Sequence, residues 1–93
     1  MRRDVDDRLR AAVREIEALA ARHRWKQHVR AEALELLSTS ATASSGPREI
    51  AQRYRALVRS MGRTERAQTW SATRRVAALG LRAGLDTVYR NEL

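Results

Sequence analysis

Apolar residues recur at helical spacing through most of this chain, but the side of the helix they occupy changes from one stretch to the next. From Asp4 to Leu37 there is no Gly or Pro, and good helix formers (Ala, Leu, Glu, Arg) dominate. Val5, Leu9, Ala12, Ile16 and Leu19 form one apolar face, with His23 in line. Trp25, Val29, Ala33 and Leu36 then lie on a side more than about 120° away from the first. Either the chain turns near 23–26 or one long helix offers two faces to two neighbours. With no breaker residue in the stretch, the pattern predicts a long helix over 4–37, with a bend near 23–26 as the alternative. Asp4, Asp6 and Asp7 sit where the positive end of the helix dipole favours acid.

A Ser/Thr/Ala-rich loop follows over 38–46. Ser45 or Gly46 is placed to cap the next helix, Pro47 suits its first position and Glu49 its first turn. That helix is predicted over 47–61. Gly62 ends it, and Thr64 is the expected cap of a third helix over 64–91. The third helix is apolar on two sides. Ala67, Trp70, Ala77, Leu81, Leu85 and Val88 mark the wider face, and Ala72, Val76, Leu79 and Ala83 the narrower. Gly80 and Gly84 are spaced to allow close backbone approach. No strand-like alternation and no internal repeat are visible. The fold class expected is all-α, a small bundle of about three helices forming a single domain over 1–93.

Size adds a further expectation. A continuous helix over 4–37 would be about 50 Å long at 1.5 Å per residue, whereas a compact domain of this length is only roughly 30 Å across. The first helix would overhang its own bundle. That predicts a homo-oligomer or a subunit of a larger complex.

Charge changes the picture most in the middle helix. Arg48, Gln52, Arg55 and Arg59 share one side of it, and Ile50, Tyr54, Leu57, Val58 and Met61 gather on the other. Each guanidinium stays charged at any working pH and can grip a phosphate or carboxylate through two parallel N–H bonds. Arg63 and Arg66 continue this cationic surface, and Arg75 and Arg82 are outlying candidates. Arg74 falls within an apolar face, where it either snorkels or meets an acidic partner. The chain has a formal charge of +8, from 19 basic and 11 acidic residues. Residues 1–37 are nearly balanced, with nine basic and seven acidic groups, while 48–82 hold nine basic groups against Glu49 and Glu65. Only one of the 19 basic residues is Lys. A GC-rich coding bias would explain Arg over Lys, but not the excess of base over acid. A second candidate patch is Arg22, Arg24, Trp25, Lys26 and Arg30, where a tryptophan interrupts cationic residues.

Candidate chemistry is sparse. His23 and His28, five apart, point to different sides of a helix and cannot act as an i, i+4 metal pair. The four Gly are isolated, so there is no phosphate cradle, and no His base and acid flank any Ser or Thr. Acid pairs such as Glu15/Glu17 lie in charged contexts with nothing to tune them. No catalytic residue, cofactor or metal is therefore expected. There is no Cys, no apolar leader-like run after Met1, and no stretch near the ~20 apolar residues that span a bilayer, which points to the cytoplasm. The middle helix also lacks the short positioning helix of a helix-turn-helix. The expected function is a non-enzymatic basic subunit that binds the phosphate backbone of DNA or RNA, with little sequence readout, in a larger nucleoprotein assembly. The contacts would be Arg48, Arg55, Arg59, Arg63, Arg66, Arg75 and Arg82. The alternative is a protein–protein module (a scaffold, adaptor or regulator, as in a phage particle or multisubunit complex) whose Arg row meets an acidic protein.

Overall fold

Most of the apolar positions read from the sequence are buried, but among the described residues five helices carry them, not three. The computed structural model describes residues 2–42 and 44–92, without the side chains of residues 2, 3, 79 and 92. The helices are α1 (Arg2–Arg22), α2 (Gln27–Ser40), α3 (Pro47–Val58), α4 (Arg63–Val76) and α5 (Leu79–Glu92). α2 packs against α1, α3 and α4, while α5 packs against α3 and α4. One apolar cluster joins Ala12, Ile16 and Leu19 of α1, Val29, Ala33, Leu36 and Leu37 of α2, Ile50, Tyr54 and Leu57 of α3, Trp70 and Val76 of α4, and Leu85 and Val88 of α5. Burying a residue such as Ile16 or Leu36 is worth about 1.5–3 kcal/mol.

The helix expected over 4–37 ends at Arg22, at the place the bend alternative marked. Arg24 adopts φ 52°. Its N–H donates to Ala21 O at 3.4 Å, and Trp25 N–H donates to Ala20 O at 2.9 Å. These two bonds make a Schellman cap with Arg24 in the left-handed position. That conformation costs a non-glycine residue roughly 1–2 kcal/mol, offset as Trp25 folds onto the core beyond it. The break lets the α1 and α2 faces turn toward the same interior. The overhang expected of a 50 Å helix is thereby removed. The molecule measures 33 × 31 × 18 Å with a Cα radius of gyration of 12.2 Å, against about 12 Å for a compact chain of this length.

The helix expected over 64–91 is also divided. Ala77 has extended backbone, φ −61° and ψ 140°, and Arg82 N–H donates to Ala78 O at 2.8 Å to open α5. A straight helix over 64–91 would be about 42 Å long, more than the longest dimension of the molecule. α4 serves α1 and α2, while α5 turns back over α3. Ala67 and Ala83, expected on apolar faces, are exposed; Leu79, also placed there, has its side chain outside the described residues.

The remaining boundaries move by a few residues. α2 extends through the first part of the expected loop, and Ser40 is buried with its hydroxyl donating to Leu36 O at 2.7 Å. Ala43 of that loop lies outside the described residues. Gly46 caps α3 with Pro47 at its first position, as the sequence suggests. α3 stops at Val58 rather than 61, and Gly62, not Thr64, is the residue before α4.

Of the two glycines on α5, only Gly84 marks a close approach. A Cβ built there would lie 2.5 Å from Pro47 Cγ, whereas one at Gly80 meets nothing within 4 Å. Gly80→Ala is expected to raise stability by up to about 0.8–1 kcal/mol through helix propensity. Gly84→Ala makes the same gain but overlaps the Pro47 ring, a penalty of about 1–3 kcal/mol, and is expected to be neutral or destabilising. Urea midpoints of the two variants decide this; equal stabilisation by both would mean that α5 does not rest on Pro47.

Candidate nucleic-acid interface

α4 presents Arg63, Arg66, Ala67, Trp70, Ser71 and Arg74 at intervals of three and four, and therefore on one side. These residues form the floor of a basin of about 660 Å³, completed by Tyr54, Arg55 and Val58 of α3 and Tyr89 of α5. Four arginines thus surround three aromatic rings. Among the described residues, no acidic side chain lines the basin.

The three rings are in contact through Trp70. Trp70 lies between Tyr54, with ring centroids 4.7 Å apart and tilted by 56°, and Tyr89, at 5.6 Å and nearly parallel at 20°. Trp70 is 3% exposed and its indole Nε1 is buried without a hydrogen-bond partner among the described residues. Tyr54 donates its hydroxyl to Arg66 O at 2.7 Å. Burial, and secondarily the neighbouring Tyr89, pushes that hydroxyl above the ordinary phenol range, while Arg66 pulls the other way. It therefore remains a protonated donor at neutral pH. Tyr89, by contrast, is 48% exposed.

The arginines are held in different ways. Arg66 donates from Nε to Val58 O and Met61 O, both at 3.1 Å, so the cation satisfies carbonyls at the end of α3 where the dipole favours it. Arg74 donates from Nε to Asp86 Oδ1 at 2.5 Å and ties α4 to α5; the acidic partner suggested for it is intramolecular. Arg55 is half-buried on the wall and Arg63 is exposed at the rim. Arg59 is exposed just past the end of α3. Arg59 and Arg63 make no ion pair among the described residues.

Not all of the expected residues meet here. Arg48 and Arg82 are exposed but do not line the basin. Arg75 faces the other way: its Nη2 pairs with Glu15 Oε2, and with Arg22, Gln68 and Ser71 it lines a groove of about 550 Å³ between α1 and α4. Ser71 borders both concavities. Within the second candidate patch, Arg24, Trp25 and Lys26 line a shallow pocket with His23, His28 and Ser60. Trp25 is half-buried against the core, and Arg30 is paired with Glu17 at 2.8 Å. His23 Nδ1 lies 3.1 Å from Glu65 Oε1 and joins the end of α1 to the start of α4.

Some of the cations outside the basin are paired locally. Arg53 lies 3.6 Å from Glu35 and 3.8 Å from Glu49. Such exposed pairs contribute little to stability. The sequence pattern did not indicate Tyr89 or Arg74 as site residues. Tyr89 reaches the basin only because α5 turns back at Ala77–Ala78, so no spacing within one helix links it to Trp70. Among the described residues, no group of three or more His, Asp or Glu side chains is arranged to hold a metal, and no helix is long and apolar enough to cross a membrane. No protein-family model, curated protein or solved structure matches this chain, so its function rests on the arrangement of its own residues.

Proposed function

We propose that this chain is a non-enzymatic nucleic-acid-binding domain that grips the phosphate backbone with little sequence readout. The observation that carries the reading is the convergence of Arg55, Arg63, Arg66 and Arg74 from two helices on one basin, with Arg59 exposed at the end of α3. Phosphate contacts by guanidinium forks position a protein on nucleic acid without reading bases. Arg66 and Arg74 are already fixed by intramolecular bonds, so less side-chain freedom is lost when a phosphate arrives. A wall lined by four guanidinium groups, with no carboxylate among the described lining residues, also raises the local concentration of an anionic polymer.

A salt series tests the reading. Five Arg–phosphate contacts predict a slope of log K against log salt of roughly −4.5 on duplex DNA and −3.5 on single strands. Arg59→Gln with Arg63→Gln removes two exposed forks that hold no part of the fold. The double variant is expected to flatten the slope by about 1.4–1.8. No binding at low salt, or tight binding that ignores salt, refutes the proposal and transfers the Arg cluster to an acidic protein partner. The overhang that suggested a larger assembly is gone, so membership of a complex now rests on this cationic surface alone.

A further inference from the structure

We infer that the basin takes single-stranded nucleic acid, with an unpaired base stacked on Tyr89. The inference rests on the backbone-binding reading above and adds the form of the ligand. Tyr89 is the one large hydrophobic side chain among the described residues that is exposed, at 48%. It rests on Trp70 in an offset stack, nearly parallel at 20° with centroids 5.6 Å apart, and the rest of the ring is open to solvent. A tyrosine supported in this way and otherwise open is a stacking platform, and every nucleobase has the face to use it.

The surroundings of Tyr89 fit a strand passing over it. Tyr89 and Arg74 border two concavities at once. On one side is the basin with Arg55, Arg63 and Arg66; on the other is a pocket of about 300 Å³ whose remaining lining is Asp86 and the exposed Arg90. Cations therefore stand on both sides of the platform, as a base with a phosphate on either flank requires. Asp86 does not repel the strand as a lone carboxylate would, because it is paired with Arg74. A duplex cannot use this arrangement, since its bases are already stacked on each other and a flat aromatic face offers them nothing without unpairing. The contacts of Tyr89 with Trp70 and of Trp70 with Tyr54 also place the platform before any ligand arrives.

The test compares oligothymidylate with an abasic deoxyribose-phosphate oligomer of the same length and charge, with oligouridylate and a duplex as further arms. For the unaltered protein, oligothymidylate and oligouridylate are expected to bind roughly 5- to 150-fold more tightly than the abasic oligomer, the range for one stacked base. Both are expected to bind more tightly than duplex of equal phosphate number. Tyr89→Ala should remove the advantage over the abasic oligomer while leaving abasic affinity and its salt slope unchanged, and Tyr89→Phe should retain it. Equal binding of oligothymidylate and abasic oligomer overturns the stacking inference and leaves backbone binding intact. Preference for duplex overturns it as well. Failure of every oligomer to bind at low salt sinks the backbone reading itself.

Discussion

Leu57→Ala is expected to lower the unfolding free energy by about 2–5 kcal/mol, and Arg59→Ala, two residues along, to change it by no more than about 0.5 kcal/mol. Leu57 is 3% exposed and belongs to the core cluster, where α3 meets its neighbours. Truncation removes its packing and leaves a cavity that Ile50, Tyr54 and the facing side chains can fill only in part. Arg59 lies beyond the end of α3, exposed and without an ion pair among the described residues. Its loss should appear in oligonucleotide affinity instead. Denaturant unfolding followed by circular dichroism measures both. If Arg59→Ala unfolds the protein as readily as Leu57→Ala, the cationic row is a structural network and the functional reading loses its basis.

Trp70 yields the second large effect. Its indole packs between Tyr54 and Tyr89 and is almost fully buried. Trp70→Ala is expected to cost about 3–5 kcal/mol. Trp70→Phe should cost far less, under about 1.5 kcal/mol. The smaller ring loses volume, but it also removes a buried Nε1–H that has no partner among the described residues. An unsatisfied buried donor carries a desolvation penalty of about 1–3 kcal/mol, and deleting it returns part of the packing loss. Chemical denaturation of both variants distinguishes the contributions. A phenylalanine variant as unstable as the alanine one would show that the indole N–H is bonded and needed.

The sequence foretold the helical faces more faithfully than the helix ends. α3 was legible in its face and its start, though not its end: Gly46 and Pro47 punctuate the start, and Ile50, Tyr54 and Leu57 form a clean apolar stripe. The division of α1 from α2 was harder to see because its left-handed cap residue is Arg24, where glycine is the usual signal. The shift of apolar face between Leu19 and Val29 was the trace it left. Nothing local marks the break at Ala77–Ala78. Alanine continues a helix readily, and the turn is imposed by what α4 and α5 each pack against. Site legibility follows the same line. Arg55 was grouped by angle with Arg48 and Arg59 on α3, and Arg63 and Arg66, which belong to α4, were added as the continuation of that surface. Tyr89 could not be grouped this way, because its relation to the others exists only after α5 has folded back. Arg74 shares a face of α4 with Arg63 and Arg66 and was set apart only because its neighbours there are apolar. Arg75 sat on the correct helix but on its α1 side, where Glu15 holds it.

The pairing of α1 with α4 also sets a timetable for the chain as it leaves the ribosome. Glu15 and Arg75 are separated by 60 positions, and Ile16 and Leu19 line the α1–α4 groove with α4's Gln68 and Ser71. At translation rates of about 5–20 residues per second, α1 emerges several seconds before the helix that closes over this groove. During that interval its apolar stripe has only α2 as a native neighbour. Closing so wide a loop is entropically costly and is repaid only once α4 is complete. Final consolidation of the core is therefore a late, post-α4 event, and the nascent chain presents an exposed greasy helix to chaperones or to other copies of itself until then.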